Sequence, residues 1–228
     1  MAEGAGRSAD RLVRPNASEA VAAHVRRLVF DGELRPGEKV PQQQIADALG
    51  VSRIPVREAL AGLAREGVVR IEPHRGAYVN AFDSAAIEDH YELYGLIYGQ
   101  AIRRAVERAG GEALTELAGL AASIEAAEDA ALLCDRVTRF HARLQEVGGS
   151  PRLRELVRAL SGLVPGNFFA VIPGSSGIAR EGFLEIAKAM RAGEAEEAAR
   201  RCLAMHSALG QRVVAHLEAR GLFAPEAS

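Results

Sequence analysis

Residues 42–65 read QQQIADALGVSRIPVREALAGLAR, and the Gly-Val-Ser break in the middle decides how the surrounding chain folds. Before the break, Ile45, Ala48 and Leu49 share one side of a short helix over about 41–49. Gly50 stands where a left-handed C-cap residue belongs, Val51 supplies the apolar contact beyond it, and Ser52 can cap the helix that follows. In that next helix Val56, Leu60 and Leu63, with Ala59 and Ala64, form a buried stripe, and Pro55 falls early enough for its missing N–H to cost little. Two helices joined by so short a turn cross steeply, the signature of a helix-turn-helix.

Working outward, Val21, Val25, Leu28 and Val29 recur at helical spacing over 18–31, with Ser18 as N-cap, and the Pro36-Gly37 pair of LRPGEKV stops that helix. Downstream, Gly67 ends the third helix. VVRIEPHRGAYVN then predicts a strand from Val68 to Ile71, a turn around Pro73 to Gly76 and a second strand from Ala77 to Asn80. Three helices and a β-hairpin make a winged helix. Arg53 and Arg57 share a face of the third helix away from the apolar stripe, at the N-terminal end that a recognition helix presents to the major groove. Arginine there can donate two hydrogen bonds to guanine or pin a phosphate. The hairpin tip, His74-Arg75-Gly76, is cationic and small, suited to a phosphate or the minor groove. Charge agrees: residues 1–80 carry a formal +2 and residues 81–228 a formal −4. The expected partner is double-stranded DNA.

The fold class is mainly α, with three segments. Residues 1–16 read as a flexible tail, in which Arg7, Arg11 and Arg14 could form a DNA-contacting arm; 17–80 as the winged helix-turn-helix; and 82–221 as an all-helical bundle. The bundle's helices are expected at 83–109, 111–127, 130–147, 151–168, 178–192 and 194–220, with breaks at Gly110-Gly111, Gly148-Gly149 and PGSSG. No apolar run reaches the roughly 18 residues that span a bilayer, and the first residues lack the apolar middle of a signal peptide, so a cytoplasmic protein without membrane contact is expected. Cys134 and Cys202 stand apart and read as ordinary thiols. No nucleophile–base pairing and no phosphate loop is present, which argues against an enzyme.

Residues 18–80 resemble the DNA-binding domain of the GntR family of bacterial transcription regulators. The family's signature, LGVSRxPVREAL followed by LxxxGxV and a PxRGxxV wing, stands here as LGVSRIPVREALAGLAREGVV and PHRGAYV. The resemblance implies that Arg53 and Arg57 read or clamp an operator, that Ser52 contacts phosphate, and that His74, Arg75 and Gly76 approach the minor groove. Gln43, where many relatives carry a charge, is a less secure contact. The helical remainder is similar to the effector domain of the FadR subfamily, of the FCD type, with related fragments in FHARLQEVGGSPRLREL and MRAGEAEEAARRCLAMH. That similarity implies a homodimer whose bundles bind a small effector and reposition the winged helices on a palindromic operator, as repressor or activator.

The departures from the FadR-type pattern carry as much information. Many such domains hold a divalent metal with an Asp and a His one helical turn apart and two further histidines. Here His141 and His206 remain, while Val137 and Phe183 occupy the other two positions. Two nitrogen donors are too few for a tight site, so no metal and no cofactor is expected. Asp135, six residues from His141, points elsewhere on the helix. Tyr94 stands where relatives that bind small carboxylic acids often carry an arginine. A pocket lined by Tyr94, Tyr98, Val137, His141, Phe183 and His206 should favour a mostly apolar, lipid-like effector. Two alternatives stay open: a DNA-binding dimer without an effector, and a regulator keeping a degenerate metal site for a small carboxylate. The run NFFAVIPGSSG (167–177) either walls an apolar pocket or packs as a helix end in the core or at a dimer contact.

Overall fold

A computed structural model describes residues 17–81, 83–160 and 168–223; the tail at 1–16, with Arg7, Arg11 and Arg14, lies outside them. The first unit is built from α1 (Ala17–Phe30), α2 (Gln42–Leu49), α3 (Arg53–Arg65), β1 (Val69–Glu72) and β2 (Gly76–Val79). Gly50 adopts the left-handed conformation (φ 63°, ψ 32°), and its N–H reaches the carbonyls of Ala46 and Asp47. This closes α2 and turns the chain into α3, as the Gly-Val-Ser break predicts. Val56, Ala59, Leu60 and Leu63 of α3 are buried against Val21, Val25, Val29 and Phe30 of α1. An ion pair between Arg26 and Glu66, 2.6 Å apart, ties α1 to the end of α3.

Several local expectations are corrected. The first helix already includes Ala17, so Ser18 lies inside it and is not its N-cap. In α2 the buried alanine is Ala46, and Ala48 is exposed, because the short helix presents its i, i+1 edge to α3. Ser52 occupies the N-cap position of α3 in extended backbone, but its hydroxyl makes no capping hydrogen bond. The limits of the hairpin strands move by one residue toward the turn while their pairing stays in step: Ile71 pairs with Ala77, Val69 with Val79 and Glu72 with Gly76, placing Gly76 inside β2. Lys39 forms a further antiparallel bridge to Tyr78, the Val40 N–H donates to the Ala77 carbonyl, and the Val79 N–H donates to the Glu38 carbonyl. The segment after Pro36-Gly37 therefore pins the hairpin from its other side.

The second unit contains α4 (Ser84–Arg108), α5 (Gly111–Glu125), α6 (Ala130–Val147), α7 (Pro151–Leu160), α8 (Phe168–Val171), α9 (Ser175–Ala192) and α10 (Ala195–Glu218). Asp83 and Asp129 cap α4 and α6 by accepting from the N–H groups of Ala85 and Leu132. Of the helix expected over 151–168, the described part is α7 (Pro151–Leu160); residues 161–167 lie outside the described residues, and the short α8 follows at Phe168. Helix α9 starts at Ser175, so the last three residues of PGSSG are helical; Gly174, at φ 82°, is the actual break. Phe168 and Ile172 are buried, which supports core packing of the NFFAVI run. The most extensive packing joins α4 to α10. Gly95 and Gly99 make this close approach possible: a Cβ on Gly95 would stand 3.0 Å from His206 Cβ, and one on Gly99 would stand 3.1 Å from the Ala199 carbonyl oxygen. The two units meet where the end of α1 faces the end of α10, Leu222 lying buried against Gly32.

Candidate nucleic-acid interface and effector site

The residues expected to meet DNA are drawn onto one side of the winged helix. Arg53, Lys39, Gln42, Gln43, Gln44, His74, Arg75 and Gly76 line a recess of about 550 Å³ between the start of α3 and the hairpin tip. Arg53 and Arg57 are both exposed, one turn apart. Among the described residues Arg57 has no hydrogen-bond or ion-pair partner, whereas Arg53 is held: its Nε donates to Gln43 Oε1 at 2.6 Å, and Gln43 Nε2 donates to Asp47 Oδ1 at 2.7 Å. Gln43 thus supports Arg53. Arg75 pairs with Glu72 at 2.8 Å at the hairpin tip. His74 takes a positive φ of 61°, unusual for a residue with a Cβ, and turns the chain into Gly76. Ser52 is exposed beside Arg53.

Lys39 was not among the expected contacts. It comes within reach because its backbone bridges to β2, and a Cβ on Gly76 would lie 3.0 Å from Lys39 Cε. The cation just after Pro36-Gly37 was visible in sequence; the bridge that carries it to the wing was not. Ile54, between the two arginines' turns, is also exposed, at 68%.

In the bundle the six expected pocket residues come from four helices and do converge. Tyr94 and Tyr98 project from α4, Val137 and His141 from α6, Phe183 from α9 and His206 from α10. They meet as packed rings: Tyr98 stacks on His141 at 4.0 Å between centroids, Tyr94 lies 4.8 Å from Tyr98 and 5.3 Å from His206, and Phe183 lies 5.9 Å from His141. Val137 packs against the same core. Nδ1 of His206 donates to the Cys202 carbonyl at 2.8 Å, leaving Nε2 as an acceptor. Burial lowers the pKa of His141 to about 3, helped by His206, and that of His206 to about 4. Both imidazoles are neutral near pH 7. Burial pushes the Tyr98 hydroxyl and the Cys202 thiol far up, so neither supplies an anion.

This donor set does not fit a resident divalent ion. The His141 and His206 rings lie 6.5 Å apart, with carbon side chains at 137 and 183, and no group of three or more His, Cys, Asp or Glu among the described residues is arranged to hold a metal. Asp135 faces Arg139 at 4.0 Å instead. No described helix is long and apolar enough to cross a membrane.

Comparison with known proteins bears on both units. The model of bacterial regulatory proteins of the gntR family matches residues 17–79, and that of the FCD domain matches residues 89–208. An uncharacterized HTH-type transcriptional regulator of Mycobacterium tuberculosis (strain H37Rv) is 31% identical over 207 residues, which cover 91% of this chain and 85% of that protein. Two solved structures share the fold. A GntR family member from Pseudomonas syringae pv. tomato gives a TM-score of 0.50 at 24% identity, covering 90% of this chain and 87% of that one. E. coli McbR/YncC gives 0.62 at 19% identity, covering 91% and 100%. The chain belongs to the GntR family of bacterial transcription regulators, a winged helix-turn-helix followed by an FCD effector-binding domain.

Proposed function

We propose that this regulator binds a palindromic operator as a homodimer, through the winged helix of residues 17–80, and responds to a mostly apolar small molecule bound within residues 82–221. The observation that carries the DNA half is the cationic recess at the start of α3. Lys39, Arg53, His74 and Arg75 surround it, with Arg57 exposed one turn further on. Such an arrangement serves phosphate contacts from the wing and base-edge contacts from α3. A dimer is supported by Leu93 and Leu96, exposed at 51% and 49% on the outer side of α4, where a second copy would cover them.

The apolar effector is supported by the neutral ring cluster. Neither imidazole carries charge near neutral pH, Tyr94 replaces a cation, and burying an unpaired carboxylate there would be costly. Helix α10 gives a route for the response, since it carries His206 in the cluster and leads to Leu222 against the winged helix. The closed stacking of Tyr98 on His141 favours a second reading, in which the bundle only dimerises and DNA binding needs no effector. Calorimetry against short hydroxy or dicarboxylic acids and against long-chain fatty acids, followed by operator binding with each, separates these. Binding of the long-chain panel with a changed operator affinity supports the proposal. Binding of only the short acids overturns the apolar effector, and no response to either panel favours the second reading.

A further inference from the structure

Isoleucine 54 is the most exposed of the large apolar side chains among the described residues. It is the second residue of α3, directly after Arg53 and one turn before Arg57, and it has no place in the stripe of Val56, Ala59, Leu60 and Leu63 that packs the helix down. It lines a groove of about 640 Å³ between α3 and the hairpin, to which the hairpin contributes the half-exposed Ile71. A branched apolar group held in water by the rigid first turn of a helix is poised to be covered by something. Whatever covers it must also accommodate Arg53 and Arg57 on either side.

A protein partner would have to desolvate both guanidiniums along with the isoleucine. The major groove of DNA does not impose this, because phosphates and guanine edges accept from the arginines. The same groove displays donors and acceptors on every base pair and a single apolar group, the C5-methyl of thymine. An isoleucine set between two arginines therefore meets either that methyl or polar edges it cannot satisfy.

We propose that Ile54 reads sequence, by packing on the C5-methyl group of one thymine in each half of the operator. This rests on the DNA-binding reading above and adds to it a base preference that neither arginine supplies.

The test starts from duplexes enriched from a random pool by the full-length protein. Each thymine of the enriched site is then replaced in turn by deoxyuridine, which keeps the pairing edge and removes only the methyl. At one thymine per half-site, the replacement should weaken binding by the wild-type protein by about fourfold, the ratio expected for one buried methyl-sized group. Ile54→Ala, which removes an exposed side chain, should leave the melting temperature unchanged and bind the thymine and deoxyuridine duplexes equally. Two results overturn the inference while leaving DNA binding intact: no deoxyuridine replacement weakening the wild-type protein, or Ile54→Ala keeping the full penalty. Failure to enrich any duplex removes the DNA-binding reading, and the inference with it.

Discussion

Arg53 Nε donates to Gln43 Oε1 at 2.6 Å, so the arginine at the start of α3 is aimed by a glutamine from the preceding helix, itself held by Asp47. A long side chain fixed in one direction loses less entropy when it engages a ligand than a free one. Gln43→Ala should accordingly weaken operator binding by about 0.5–1.5 kcal/mol, the ordinary worth of one hydrogen bond. In an Arg53→Ala background the same change should cost much less. A double-mutant cycle in a fluorescence binding assay measures the coupling; strictly additive losses would mean that Gln43 acts independently of Arg53.

The close contact of α4 with α10 depends on the absence of a side chain at Gly95. A valine there would drive carbon into His206 Cβ and Leu203 Cα, only 3.0 and 3.1 Å from the position of an added Cβ. Gly95→Val should destabilise the protein by about 1–3 kcal/mol, the usual cost of overpacking. Denaturant unfolding reads this directly, and an unchanged midpoint would show that the two helices can move apart freely.

The buried histidines predict a direction for acid sensitivity. His141 and His206 have folded-state pKa values of about 3 and 4, below the ordinary 6.5. Between these values the unfolded chain binds more protons than the folded one, so stability is fully present above about pH 6.5 and falls as the pH drops toward 4. Melting temperature followed across that window should decline, and His206→Asn should flatten the decline. A wild-type profile flat from pH 7 to 4 would contradict the burial of these rings.

Restoring oxygen and nitrogen at the two substituted positions should create what the native donor set lacks. Val137 lies one turn before His141, and the Phe183 ring is 5.9 Å from that imidazole. Val137→Asp combined with Phe183→His should bind zinc or nickel, raising stability by about 2.7 kcal/mol at a metal concentration one hundred times Kd. The native protein should show no such gain. Elemental analysis finding one metal per native chain would refute the assignment.

Legibility in the sequence followed the range of the interactions. The helix-turn-helix could be read because Gly50 and the stripe Val56, Leu60, Leu63 are set by neighbours a few residues away. The hairpin was legible for the same reason, but the pairing of Lys39 and Val40 with β2 was not, because a segment distant in sequence supplies it. In α2, the choice of Ala46 over Ala48 depends on the angle at which α3 crosses, which periodicity in eight residues does not determine. The members of the ring cluster were anticipated from the resemblance to FadR-type domains, whose ligand positions fall on Val137, His141, Phe183 and His206 with Tyr94 nearby, but its closure by stacking was not. Nothing local announces that Gly95 and Gly99 bring α10 close enough to pack those rings.

Full-length protein titrated into a labelled duplex carrying its enriched inverted repeat tests the central claim most directly. The account predicts saturation at two chains per duplex. Arg53→Ala and Arg57→Ala should each lose about 1–3 kcal/mol of specific binding with unchanged melting temperature, since neither side chain belongs to the core. Equal affinity of wild type and both variants for the repeat and for a scrambled duplex would contradict it.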